Sequence, residues 1–212
     1  MSKKDQQVSK LTVQSMLLIL LLVDFVSAFI IDAQDAKCVR WNGQNCTPLN
    51  SLFIKNPIDR TLLEFDVSGI NTDSVITLDI WYDNLDKDLP DGIIDVFTYT
   101  GDGVVSGDDF YAGTLYNSFT AIENNVYNID LGYEFYEYPC GYASIDITPI
   151  VLAAIYSGDE YLGIRLSTET SDRFNLGKGS LLPNPFLTVV PEPATILIVG
   201  IGSLILRRKK YL

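Results

Sequence analysis

The sequence predicts an all-β fold, an antiparallel β-sandwich with one short helix, and three observations carry that expectation. Short runs alternate apolar and polar residues with period two, and Gly, Asp, Asn and Ser fill the gaps between them. One stretch alone stands out with both a helix start and a helix stop. The region 37–189 has the size of a single domain, long enough to bury a core without staples.

Taken in order, the first run sets Leu63, Phe65 and Val67 against Glu64 and Asp66. The second sets Ile76, Leu78, Ile80 and Tyr82 against Thr77, Asp79 and Trp81, and a later one sets Leu162, Ile164 and Leu166 against Gly163, Arg165 and Ser167. Alternate residues of a strand point to opposite faces, so each apolar set is expected inside and each polar set outside. Further strands are expected at 94–99, 126–131, 143–147 and 186–190. The helix is expected to take Thr148 as N-cap and Pro149 as its first residue, to run through IVLAAIY, and to stop at Gly158.

Both ends of the chain read as addresses. At the C-terminus a Pro191-Glu192-Pro193 triplet precedes an apolar run, 194–206, and a basic cluster of Arg207, Arg208, Lys209 and Lys210. The prolines withhold backbone donors and keep the triplet extended, and the cations stay on the cytoplasmic side of a bilayer. An apolar run of about 13 residues reaches about 20 Å, short of the roughly 30 Å of hydrocarbon, so a permanent span is a poor fit. The arrangement closely resembles the PEP-CTERM sorting signal of Gram-negative bacteria. That resemblance implies processing by an exosortase-type membrane protease and delivery to the cell surface or the exopolysaccharide matrix.

The N-terminus agrees with export. Lys3, Lys4 and Lys10 form a basic region, 16–23 an apolar one, and Val26-Ser27-Ala28 places small residues where signal peptidase cuts. A leader over 1–28, passed through the Sec machinery and cleaved after Ala28, is therefore expected. A later cut after Ala33 and an uncleaved signal anchor are the alternatives. The expected organisation is a leader, an N-terminal segment at 29–49, a sandwich at 50–190 and a sorting signal at 191–212.

Charge narrows the partners. The whole chain carries 15 basic and 27 acidic residues, a net of −12; between residues 29 and 206 the balance is eight against 25, a net of −17. Phosphate binding needs clustered Lys and Arg, so no nucleic acid is expected as a partner. Extracellular polysaccharide, divalent cations and a hydrated matrix are compatible with such a surface, and so is plain solubility.

Cys38 and Cys46 bracket VRWNGQN, whose Asn-Gly pair suits a tight turn, so a Cys38–Cys46 disulfide is expected. Cys140 would then be buried, or would pair with one of the other two. No CxxC pair is present, and the chain has no His, which argues against a zinc site.

Four segments in a fixed order carry a second resemblance. They are Arg60-Thr-Leu-Leu-Glu-Phe-Asp66-Val-Ser-Gly-Ile70, the run SVITLDIWY, Asp146-Ile-Thr-Pro-Ile-Val151 and Leu162-Gly-Ile-Arg-Leu166. In that order they resemble the DNRLRE-type β-sandwich over about residues 50–190. The resemblance implies a jelly-roll module of exported bacterial proteins, akin to carbohydrate-binding modules.

Three candidate sites follow from the residues. Arg60, Glu64 and Asp66 share one strand face, where ion pairing or turn capping is the expected role. The acidic run DNLDKDLPDGIID gathers Asp83, Asp86, Asp88, Asp91 and Asp95 on a turning backbone, which supplies the hard oxygen ligands of a candidate Ca²⁺ site. The next segment, GDGVVSGDDF, faintly resembles half of an EF-hand loop, but Thr98 and Thr100 would stand at positions one and three and Asp109 at position twelve. Solvated turns are the alternative for both. Finally, YEFYEYPCGY supplies Tyr133, Phe135, Tyr136, Tyr138 and Tyr142 beside Glu134 and Glu137, a composition that could stack sugars or simply pack at a sandwich edge or over the core. Trp41 and Trp81 carry the same two readings.

Catalysis is not expected. Without His there is no Ser-His or Cys-His pair, and no phosphate loop or nucleophile elbow is present. A carboxylate-pair glycosidase would leave no signature in so acidic a chain. The expectation is a non-catalytic exported matrix protein, with a carbohydrate-binding module, Ca²⁺-assisted or not, as the alternative.

Overall fold

The computed structural model describes residues 28–49, 51–84, 92–123, 125–130, 135–170, 173–177 and 182–191. In chain order the strands are β1 (Phe29–Asp32), β2 (Asp35–Trp41), β3 (Cys46–Leu49), β4 (Phe53–Lys55), β5 (Asp59–Asp66), β6 (Ser74–Asn84) and β7 (Gly92–Thr100). After a 3-10 turn at Asp108–Tyr111 come β8 (Thr114–Ala121), β9 (Asn125–Asp130), β10 (Phe135–Asp146), β11 (Tyr161–Ser167), β12 (Arg173–Asn175) and β13 (Phe186–Pro191). Helix α1 (Thr148–Ser157) lies between β10 and β11. The fold is all-β, and every pairing given for these strands is antiparallel.

Two layers share one core. The first runs β1–β13–β6–β10, and the second runs β3–β2–β5–β11–β7–β8. β6 belongs to both, because its last residues pair with β12, which pairs in turn with β4. Ile76, Leu78 and Ile80 of the first layer meet Leu63, Phe65, Ile94, Val96, Ile164 and Leu166 of the second, all fully buried. Val151 and Ala154 of α1 close one side of this cluster. Each large aliphatic or aromatic side chain so buried contributes about 1.5–3 kcal/mol. The period-two runs therefore place their apolar residues where the sequence predicts.

The start of α1 differs by one residue. Ile147 is the N-cap and Thr148 is already helical, while the Asp146 carboxylate accepts the Thr148 N–H at 2.9 Å. The Thr148 hydroxyl instead accepts the Ile76 N–H at 2.8 Å, which ties the helix start to β6. Gly158 ends the helix as expected, at φ +82, a left-handed position where a side chain would be strained.

Residues 29–49, expected as a separate N-terminal segment, are built into the sheets. β1 pairs with β13 in one layer, and β2 pairs with β5 in the other. That pairing also separates the two cysteines of the expected disulfide. Cys38 lies opposite Leu49, and Cys46 lies opposite Trp41. The three-residue offset is about 10 Å along the strand, and it places the two side chains on opposite faces; a disulfide needs Cα atoms within about 7 Å. Among the described residues Cys38 and Cys46 are free thiols, and Cys140 is buried. Burial, with Asp59 nearby, pushes the Cys38 thiol up to about 12, which leaves it inert at neutral pH.

Candidate functional site

The outer face of the β13–β6–β10 layer follows directly from register. With Ile76, Leu78 and Ile80 turned inward, Thr77, Asp79 and Trp81 turn outward. Tyr142 stands opposite Trp81 and Ser144 opposite Asp79 on β10, and Thr188 opposite Thr77 on β13. Cross-strand partners share a face, so these six residues form one patch. The Trp81 and Tyr142 rings lie 4.7 Å apart at 42°, and Tyr142 is 38% exposed.

Asp79 holds this platform. It is 3% exposed, and it accepts the Tyr142 hydroxyl at 2.5 Å and the Thr77 hydroxyl at 3.1 Å. Burial pushes its carboxyl up, but hydrogen bonds from Thr188, Tyr142, Ser144 and Thr77 outweigh it and hold the group below the usual range. Asp79 is therefore an anion that fixes Tyr142. Burial and that same carboxylate raise the Tyr142 hydroxyl, which stays a donor. A fixed ring pair edged with hydroxyls can stack on the apolar face of a sugar and meet its hydroxyls at the rim.

The opposite outer face, on the β2–β5–β11–β7 layer, is covered. Residues 101–111 fold over it, and Val105 and Phe110 bury themselves against Val39 and Leu62, with Trp41, Cys46 and Tyr99 packed around them. Glu64 lies under this flap at 1% exposure and accepts the Gly103 N–H at 2.6 Å. Burial raises its carboxyl, against hydrogen bonds from Gly103 and Asp102. The Tyr99 hydroxyl is pushed well up by burial and by Glu64. A Cβ at Gly163 would run into the Tyr99 ring, so only glycine fits beside it.

The expected ion pairing of Arg60 does not form. Its guanidinium lies over the Phe110 ring at 4.3 Å and the Tyr111 ring at 5.0 Å, and donates to the Phe110 carbonyl at 2.5 Å. Asp66 does cap a turn, accepting the Ser68 N–H at 3.0 Å and hydroxyl at 2.6 Å. Glu64 serves the flap instead of Arg60 because residues 101–103 cross directly above it, a long-range arrangement that strand spacing does not encode.

The calcium candidates divide. Asp86, Asp88 and Asp91 lie outside the described residues. Asp83 is at the end of β6, beside Asn175, and Asp95 sits in β7, where it accepts the Ser118 hydroxyl at 2.5 Å. Asp102 accepts the Val104 N–H at 3.0 Å, and Asp109 accepts the Ser106 N–H at 2.8 Å and hydroxyl at 3.0 Å. Thr98 and Thr100 belong to β7 and do not begin a loop. Among the described residues no group of three or more acids, cysteines or histidines is placed to hold a metal.

Of the aromatic stretch, Tyr133 lies outside the described residues, and β10 pairs Tyr136 with Ile129 and Tyr138 with Tyr127. Trp41 packs 6.5 Å from Phe110 and 6.4 Å from Tyr111, as part of the covered face. Pro191 ends β13 opposite Ser74. Glu192, Pro193 and the basic residues Arg207, Arg208, Lys209 and Lys210 lie outside the described residues. Ala28 is exposed, immediately before β1.

No family model matches the chain, and no curated protein matches it. The site therefore rests on geometry alone. Strand alternation gives Asp79 and Arg165 as ordinary outward polar positions; the one sequence signal that sets them apart is a lone charge flanked on both sides by strongly apolar strand residues.

Proposed function

We propose that this chain is an exported, non-catalytic protein of the cell surface or exopolysaccharide matrix, and that its open sheet face binds polysaccharide. The observation that carries the reading is the Trp81–Tyr142 ring pair, fixed by Asp79 and edged by Ser144, Thr77 and Thr188. The acidic surface suits a hydrated neutral or cation-bridged polymer rather than nucleic acid. Export rests on the leader at 1–28, cut by signal peptidase after the Sec machinery, and on the Pro191-Glu192-Pro193 signal read by an exosortase-type protease. The jelly-roll kinship with the DNRLRE-type module belongs to the same reading, and the two-layer arrangement around one core supports it.

Binding is tested by pull-down of the chain on immobilised neutral polysaccharides. Saturable retention in moderate salt, lost in both Trp81→Ala and Tyr142→Ala, is the expected result. Weak retention that salt removes, equal in all three proteins, would leave only the matrix role. Delivery is tested by Glu192→Ala, expected to remain full-length in the cytoplasmic membrane; normal release of that variant would sink the sorting assignment.

A further inference from the structure

Behind the flap, Arg60 and Arg165 stand without carboxylate partners among the described residues, in a protein with 27 acids. Among the described residues the ion pairs are Lys37–Asp35 and Arg40–Asp59, and neither involves Arg60 or Arg165. Arg165 is 5% exposed. It donates through Nη1 to the Phe110 carbonyl at 3.0 Å, the same oxygen that Arg60 uses, and its guanidinium lies 3.8 Å from the Phe97 ring centroid. Its Nε is buried with no hydrogen-bond partner. A buried donor left unmade is uncommon in folded proteins and calls for a partner.

Both guanidiniums line a cavity of about 110 Å³, together with Asn56, Asp59, Ser167, Thr168 and Glu169. That is the room of roughly three to four waters, enough for one small anionic group and too little for a whole sugar ring. We propose that this cavity binds a single oxyanion group, such as a carboxylate or a sulfate, held by Arg165 and Arg60. Of the two carboxylates in the wall, Asp59 is already gripped by Arg40 through Nε at 2.6 Å and Nη2 at 3.1 Å. On Arg165 it is the Nε of the corresponding edge that is left without a partner. An arginine edge of this kind matches two oxygens at once, which a point charge does not.

Electrostatics favour the occupant. Burial and then the neighbouring Arg60 lower the Arg165 guanidinium to about 10, and burial lowers that of Arg60. The Phe110 and Phe97 rings attract the two guanidiniums through their faces and take up none of the in-plane N–H donors, of which the Phe110 carbonyl engages only one Nη1 from each arginine. Glu169, exposed in the cavity wall, opposes an anion by its like charge. The site is on the layer opposite the Trp81–Tyr142 patch and stands independently of the function proposed for that patch.

Calorimetric titration of the full-length chain with sodium glucuronate and with sodium sulfate, at constant ionic strength, tests the proposal, with glucose as the neutral control. One saturable site for either anion and none for glucose is expected; the preferred anion tells a planar carboxylate source from a tetrahedral sulfate source. Arg60→Gln should weaken binding at least tenfold. Glu169→Gln, at an exposed position that leaves folding intact, should tighten it about threefold to tenfold, as removing one nearby like charge does at surface dielectric. Trp81→Ala should leave the titration unchanged. No heat with either anion, or unaltered affinity in Glu169→Gln, would overturn the site even if Arg60→Gln failed to fold.

Discussion

On the β13–β6–β10 layer the outward Trp81 and Tyr142 stay partly open to solvent, whereas on the β5–β11–β7 layer the outward Glu64 and Arg165 lie beneath residues 101–111. The same pattern thus yields a surface in one place and a second, smaller core in the other. The difference shows in two carboxylates. Asp79 gathers four hydroxyls and is held below its usual range, while Glu64, sealed under the flap, is pushed above its own. Hydroxyls can follow an anion around a half-open rim; a flap made of backbone and rings supplies fewer donors, so desolvation prevails.

The most severe way to break the contrast is Phe110→Ala. Phe110 is 1% exposed and anchors the flap on Val39 and Leu62, so about 3–5 kcal/mol of stability should be lost in denaturant unfolding. Polysaccharide retention by the opposite face should survive below the new midpoint. Next in size is Gly163→Ala, whose added methyl meets the Tyr99 ring and should cost about 1–3 kcal/mol by the same measurement.

Acid and base titrations of stability sharpen the comparison further. Glu64 binds its proton more tightly when folded, so its contribution falls as pH rises from about the ordinary value of 4.5 through its raised value. Asp79 does the opposite: its contribution is complete above the ordinary 3.8 and is lost as pH falls through its lowered value. Glu64→Gln should therefore flatten the decline on the higher side, and Asp79→Asn the decline on the acid side, in melting temperatures followed against pH. Equal slopes in both variants would contradict the difference between the faces. The smallest effect is expected from Tyr142→Ala, about 1 kcal/mol or less of stability, because the ring is partly exposed. Its loss should appear in binding instead.

Much of the fold was legible. The runs at Leu63, Ile76 and Leu162 became β5, β6 and β11 with their apolar residues inward, and Pro149 and Gly158 bounded α1. β1, β2, β3, β4, β8 and β12 carry no clear period-two run of their own; β1 and β12 are held by partners far along the chain, β13 and β4, and β2 is held by β5 as well as by its neighbour β3. Cys38 and Cys46 illustrate the limit: nine residues of sequence suggested a loop to be closed, and pairing of β2 with β3 put the thiols on opposite faces. Of the aromatic residues weighed as sugar-stacking candidates, Trp81 and Tyr142 are brought together on an open face. Trp41 is taken into the flap.

Composition and periodicity alone determined the acidic character, the all-β class and which residues of the strong strands enter the core, since these depend on transfer from water and on the two-residue repeat of a strand. Tertiary structure decided which outward residues remained outward. Residues 101–111 cross β5 and β11 from a distance that no local pattern records, and their arrival converted Glu64 and Arg165 from surface charges into buried ones and left Arg60 half-buried. Exposure is a property of what lies above a residue, and for these three that neighbour comes from a distant part of the chain.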